Sequence, residues 1–259
     1  MTSLAGASAI TRADRSFPAK RGTQEKTGLS MQSKWRKRSF DAPWVTEHPP
    51  GPNLSRLNNQ KVYVTSPGFD NIGEILTSMN VQYEPFNGKF DCSILFINCG
   101  TSDLIPSADL IEFVRSGGCV YASDHADTFI QAAFPTLFDF AGHTGASGQI
   151  RTEVLAPELR ELLGQYMTIE FDMGSWAQLR SCEGEILLRT VAGNSATGMP
   201  IMAYTEFGKG SIFYTCFHNK SQTNDDEKRL LQLLVVKQFS TVSSRTLRDA
   251  GESMGLNLA

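Results

Sequence analysis

Short apolar runs alternate with helical spacings of apolar residues along the middle of the chain. The segment 92–99 (CSILFINC) is almost wholly apolar, as expected for a central strand of a parallel sheet. Within 107–115, Leu110 and Val114 then recur on one helix face, and 119–123 (CVYAS) is again typical of a buried strand. This alternation predicts right-handed βαβ units and a parallel sheet covered by helices on both faces.

The same two patterns, with turn residues between them, predict the other elements. We predict strands at 61–65, 81–86, 92–99, 119–123, 150–155, 167–171, 185–191, 200–205 and 211–217. We predict helices at 71–79, 107–115, 126–138 (interrupted by Pro135), 157–163 and 224–239, and a glycine-rich loop at 140–149. The predicted fold class is α/β: a three-layer α/β/α sandwich of flavodoxin-like order, with a mostly parallel sheet and a late β-hairpin.

Charge and composition divide the chain into four parts. Residues 1–40 carry nine Lys/Arg against two Asp/Glu, whereas the whole chain carries −3, so the remainder carries −10 by difference. We expect a disordered basic tail at 1–40, an extended Pro-rich arm at 41–59, an α/β domain at 60–240 and a loose tail at 241–259. The acidic domain argues against nucleic-acid binding, but the basic tail could contact an acidic partner.

Cysteine usage and hydropathy bear on the compartment. The five cysteines form no Cys-x-x-Cys pair, and four lie in or beside predicted strands, which favours free, buried thiols in a reducing cytoplasm. No apolar run approaches the roughly 20 residues of a membrane-spanning helix, and the N-terminus lacks the apolar core of a secretory signal. We therefore expect a cytoplasmic protein without membrane contact. Homo-oligomerisation and a targeting role for the basic tail stay open.

A polar cluster follows the strand at 119–123. Asp124 and His125 stand at its carboxyl end, which is where open α/β sheets bind ligands, and His218 ends the last predicted strand. A histidine beside a carboxylate is a general acid–base pair or part of a metal site. Asp124 could be a general base, a metal ligand, an aspartyl nucleophile or a helix cap. We therefore predict Asp124, His125 and His218 as the catalytic residues.

Other polar residues and one glycine are expected on the same rim. We assign ligand binding to Cys99, Gly100, Asp103, His143 and Asn219. His143 could complete an Asp/His/His set for zinc or another divalent ion, although no short His-x-x-x-His spacing occurs. The cofactor, if any, stays open.

Three motifs resemble the class I glutamine amidotransferase-like superfamily, and most closely its ThuA-like (trehalose-utilisation) branch. The third strand ends in Gly100, which in the family helps to form an oxyanion pocket. The segment 122–126 (ASDHA) resembles a nucleophile elbow, which requires small residues two positions before and after the exposed side chain. The segment 208–210 (GKG), followed by a strand that ends in His218, resembles the family's last hairpin.

The resemblance covers residues 60–240 but departs from the amidotransferases at two positions. The elbow carries Asp124 where they carry cysteine, and Asn219 and Lys220 follow His218 where they have a residue and then glutamate. A Cys-dependent glutamine amidotransferase is therefore not expected. The Asp127-Thr128 pair is similar to one in ThuA-like proteins, which implies a hydrolase or sugar-modifying enzyme that acts on a small molecule. The alternative is a non-catalytic interaction or assembly module that binds a protein partner.

Overall fold

A computed structural model of the chain describes residues 60–191, 198–220, 225–243 and 247–253. Its strands are β1 Val62–Val64, β2 Glu84–Pro85, β3 Ile94–Ile97, β4 Cys119–Ser123, β5 Phe138–Thr144, β6 Gly148–Val154, β7 Tyr166–Phe171, β8 Trp176–Cys182, β9 Glu185–Thr190, β10 Pro200–Phe207 and β11 Gly210–Thr215. Its helices are α1 Ile72–Ser78, α2 Ser107–Arg115, α3 Asp127–Ala133, α4 Pro157–Leu163, α5 Asp225–Ser243 and α6 Leu247–Ser253. The tail and arm predicted at 1–40 and 41–59 lie outside the described residues.

A mixed nine-stranded sheet runs through the described part of the chain, in the order β2-β1-β3-β4-β11-β10-β9-β6-β7. The β2-β1-β3-β4 half is parallel and has flavodoxin-like order, and β11 continues it in parallel beside β4. The mixed α/β class is therefore confirmed. Because these strands point the same way, the chain segments that follow β3, β4 and β11 all emerge at one edge of the sheet.

The other half of the sheet is antiparallel and begins with the pairing of β10 and β11. The turn between them uses Gly208, whose φ of +63° lies in the left-handed region. At Gly210, a Cβ atom would lie 2.1 Å from the carbonyl oxygen of Gly118 and 2.3 Å from that of Val114. Only glycine therefore lets β11 start this close to the strand it joins.

Strands β5 and β8 pair with each other in a separate antiparallel ribbon, which we call the β5–β8 ribbon. The prediction of a loop over 140–149 is wrong in this region, and the helix predicted over 126–138 with an interruption at Pro135 does not resume after the proline. The helix α3 ends at Ala133, since Pro135 disfavours its continuation, and most of the glycine-rich segment is strand. Strand β8 was not predicted.

The C-terminal prediction also needs correction. A loose tail was expected at 241–259, but α5 extends to Ser243 and α6 follows as a second helix. Leu247 and Ala250 are buried one helical turn apart, and α6 packs against α5.

None of the helices in the described ranges has the length and apolarity needed to cross a bilayer.

Candidate functional site

Asp124 occupies a sharp turn between β4 and α3. Its φ of +43° is in the left-handed region, which costs a non-glycine residue of order 1–3 kcal/mol. The small side chains of Ala122 and Ala126 are fully buried on either side. The hydroxyl of Tyr214 donates to the Asp124 carbonyl oxygen at 2.6 Å and so holds the turn from the neighbouring strand β11. The geometry matches an elbow centred on Asp124.

The Asp124 carboxylate is buried and has a different neighbour on each oxygen. The main-chain N–H of Ala177, on the β5–β8 ribbon, donates to Oδ1 at 2.7 Å. The other oxygen, Oδ2, lies 3.1 Å from Nε2 of His218 and 3.6 Å from Sγ of Cys99. We call Cys99, Asp124 and His218 the buried cluster; they come from the ends of β3, β4 and β11.

His218 bridges two carboxylates. Its Nδ1 lies 2.7 Å from Oδ1 of Asp172, in the loop between β7 and β8, while Nε2 faces Asp124. Burial alone would lower the pKa of His218, but hydrogen bonds with Asp124 and Cys99 and the charge of Asp172 raise that pKa to about 11. The contact at Nδ1 thus sets the orientation of the imidazole ring, with Nε2 facing Asp124.

Cys99 is fully buried, and burial raises the pKa of its thiol despite hydrogen bonds with His218 and the His125 main-chain N–H. Its own main-chain N–H donates to Oγ of Ser123 at 3.1 Å, which ties the end of β3 to the end of β4. The sequence placed Cys99 among ligand-binding residues; the structure places its sulfur directly beside Asp124.

Asp172 was missed in the sequence. It follows β7 in the segment 172–175, between two strands of which the second was itself not predicted. Its position after a predicted strand was the available signal, but many acidic residues in the chain follow strands. The pairing with His218 spans 46 positions, and no local pattern indicates it.

The other two predicted histidines lie beside the buried cluster rather than inside it. Nε2 of His125 lies 2.7 Å from the carbonyl oxygen of Ser175 and 3.8 Å from Asp124 Oδ2. The rings of His125 and His143 stack with centroids 4.2 Å apart, and Nε2 of His143 lies 2.9 Å from Oδ2 of Asp127. The predicted Asp/His/His set through His143 therefore does not form; Cys99 takes the third place.

The remaining predicted residues tie the surrounding loops together. Oδ2 of Asp103 accepts a hydrogen bond from the main-chain N–H of Ser66 at 2.6 Å, and Gly100 has a φ of +72°. Asn219 is 1% exposed, and both its main-chain and side-chain N–H groups donate to Asp70. Ligand binding by Asp103, Gly100 and Asn219 stays a prediction.

The buried cluster has little solvent exposure, and its neighbours Asp172 and His125 are more exposed. Asp124 and His218 are each 3% exposed, while the side chains of Asp172 and His125 are 34% and 37% exposed. The segment 172–177, with Trp176 packed on Phe171, covers the cluster.

Comparison with solved structures shows that the chain shares its fold with a ThuA-like protein and with a GMP synthase subunit. A ThuA-like protein from Bacteroides uniformis has a TM-score of 0.52 at 12% identity, over 78% of this chain and 98% of its own. A GMP synthase protein from Thermoplasma acidophilum has a TM-score of 0.50 at 11% identity, over 74% of this chain and 98% of its own. At these identities the likeness shows the fold alone.

A β-galactosidase from Bacillus circulans is also similar, with a TM-score of 0.50 at 13% identity over 77% of this chain. This chain spans 32% of that protein's length. No model of a known protein family and no curated protein sequence matches the chain.

Proposed function

We propose that the chain is a ThuA-like hydrolase that activates a water molecule at the buried cluster for attack on a small, sugar-related molecule. The observation that carries the proposal is the contact between Asp124 and His218 at the elbow, with Oδ2 and Nε2 3.1 Å apart. A strained residue at the end of a central strand is where this fold supports chemistry. The sugar-related class comes from the resemblance to ThuA-like proteins.

The roles follow from the contacts. Asp124 is the group that holds and deprotonates the water, since its Oδ1 is fixed by Ala177 and only Oδ2 faces the other side chains of the cluster. His218 is its acid–base partner, and Asp172 fixes the ring orientation through Nδ1. No thiol stands at the elbow, so the proposed chemistry does not use a cysteine nucleophile.

The test is a panel of p-nitrophenyl esters and glycosides hydrolysed by the full chain, with Asp124→Asn and His218→Gln as the variants. Loss of a positioned acid or base costs about 10²–10⁴-fold in rate, so both variants should lose at least about 100-fold. Asp139→Asn is the matched control, because Asp139 pairs with Arg180 in a solvent-exposed contact on β5. Full turnover in Asp124→Asn, with the fold intact by circular dichroism, would refute the proposal.

The burial of the cluster favours a second candidate, a non-catalytic interaction module. A site that is 3% exposed needs the 172–177 segment to move before it can bind a molecule. Hydrogen exchange separates the two candidates. In a hydrolase, the Ala177 N–H that donates to Asp124 should exchange by local opening, faster than the β4 amides of the core. In a non-catalytic module, the Ala177 N–H and the β4 amides should both exchange only by global unfolding.

A further inference from the structure

We propose that Cys99, Asp124 and His218 bind a zinc ion. The three residues offer one thiol sulfur, one carboxylate oxygen and one imidazole nitrogen, and all three side chains are buried. Sulfur, nitrogen and oxygen donors of these kinds are the ligands that zinc takes in proteins. A mixed set with sulfur suits zinc better than magnesium or calcium, which select oxygen ligands.

The spacing of the donor atoms fits one small ion. Zinc–ligand distances of about 2.0–2.3 Å at tetrahedral angles place neighbouring ligand atoms about 3.3–3.6 Å apart. Asp124 Oδ2 lies 3.6 Å from Cys99 Sγ and 3.1 Å from His218 Nε2. All three donor atoms lie within 4.8 Å of one another, so shifts of about 1.5 Å at most bring them around one ion.

Two of the three ligands, His218 and Asp124, are also oriented by a second group, which is the usual construction of a metal centre. Asp172 contacts Nδ1 of His218 at 2.7 Å, which leaves Nε2 directed at Asp124 and Cys99. The Ala177 N–H occupies Oδ1 of Asp124, so Oδ2 is the oxygen left for the ion. The contact between Asp172 and His218 does not depend on the distances within the buried cluster, so it is independent support for a zinc site.

Three protein ligands leave a fourth zinc position for water or substrate, as in catalytic rather than structural zinc sites. The inference goes beyond the proposed hydrolase, because zinc can be bound whether or not any substrate is turned over. A zinc ion bound to Oδ2 would occupy the oxygen to which the metal-free proposal gives the water, so zinc would then replace Asp124 as the group that activates the water. The two proposals fail separately: metal content tests one and substrate turnover tests the other.

The first experiment measures zinc in the full chain. The purified protein is stripped with a chelator, given zinc chloride and dialysed, and its metal content is read by mass spectrometry. We expect one zinc per chain. Cobalt replacement adds a measurement that needs no variant, since a cysteine ligand gives a sulfur-to-cobalt charge-transfer band in the near ultraviolet. Absence of bound zinc, or cobalt binding without that band, overturns the proposal.

Variants then locate the ion. Cys99→Ser and His218→Gln should each weaken zinc binding by at least about 100-fold, and Asp172→Asn, outside the ligand set, by about 10–100-fold with unchanged stoichiometry. Cys92→Ser and His143→Gln are the matched controls and should keep one zinc per chain. Loss of zinc in His143→Gln with retention in Cys99→Ser would overturn the assignment.

Discussion

The sharpest stability prediction concerns Asp70, a fully buried carboxylate outside the buried cluster. Its Oδ1 accepts hydrogen bonds from the main-chain N–H groups of Asn71 at 2.8 Å and Lys220 at 3.1 Å. Its Oδ2 accepts from the main-chain N and the Nδ2 of Asn219, at 2.9 and 2.7 Å. One side chain thus joins the start of α1 to the segment that follows His218.

Asp70→Asn keeps the shape of the side chain and replaces one acceptor oxygen by an NH₂ group. Whichever way the new amide faces, its NH₂ group points at two N–H donors. Two hydrogen bonds to a charged acceptor are lost, each worth about 1.5–3 kcal/mol, so the free energy of unfolding should fall by about 3–6 kcal/mol. That is a large part of the roughly 5–15 kcal/mol typical of folded proteins.

Urea denaturation followed by circular dichroism measures the loss, with the slope m as a check that the unfolding reaction is unchanged. Asp91→Asn is the matched control. Asp91 is solvent-exposed: Oδ2 contacts Lys61 at 2.8 Å, and Oδ1 accepts from the Tyr63 hydroxyl at 2.9 Å, a hydrogen bond that the Asn oxygen can keep, so the substitution should cost less than about 1 kcal/mol. If Asp70→Asn came within about 1 kcal/mol of this control, the assigned hydrogen-bond network would be wrong.

Three shorter predictions test other parts of the structure. Gly210→Ala forces a Cβ to within 2.1 Å of the Gly118 carbonyl oxygen and should lower the unfolding free energy by about 1–3 kcal/mol; unchanged thermal stability would contradict this. Tyr214→Phe leaves the buried Asp124 carbonyl without its 2.6 Å donor and should cost about 1–3 kcal/mol in urea denaturation, whereas a neutral result would show that this hydrogen bond does not hold the turn. Burial raises the pKa of Cys92 to about 12, so alkylation of Cys92 in the native protein at pH 8 should be at least ~100-fold slower than that of a free cysteine. The labelling rate should rise about tenfold per pH unit up to pH 10, and rapid labelling at pH 8 would refute the prediction.

The sequence predicted the elements best where one pattern dominated. The helix at 107–115 and the strand at 119–123 match α2 and β4, because a clear helix face and an unbroken apolar run leave little choice. Asp124 could be singled out because alanines flank it at the two positions where a sharp strand-to-helix turn is crowded.

The sequence could not predict the ribbon that covers the site. Strand β8 reads WAQLRSC, where buried and exposed positions follow no strict alternation, and β5 contains a glycine and a register shift. Asp172 could not be assigned for a related reason. Its partner His218 lies 46 positions later, and register between distant segments is set by tertiary packing rather than by local pattern.

The position of β11 has a consequence for how the protein folds. This strand lies between β4 and β10, so it joins the centre of the sheet although it comes late in the chain. Until it arrives, the wholly buried strand β4 has an unpaired edge, which is the kind of surface through which chains aggregate. We expect fragments that end before β10 to aggregate rather than to fold. Because His218 follows β11, the chemistry of the site should appear only with the last step of sheet assembly.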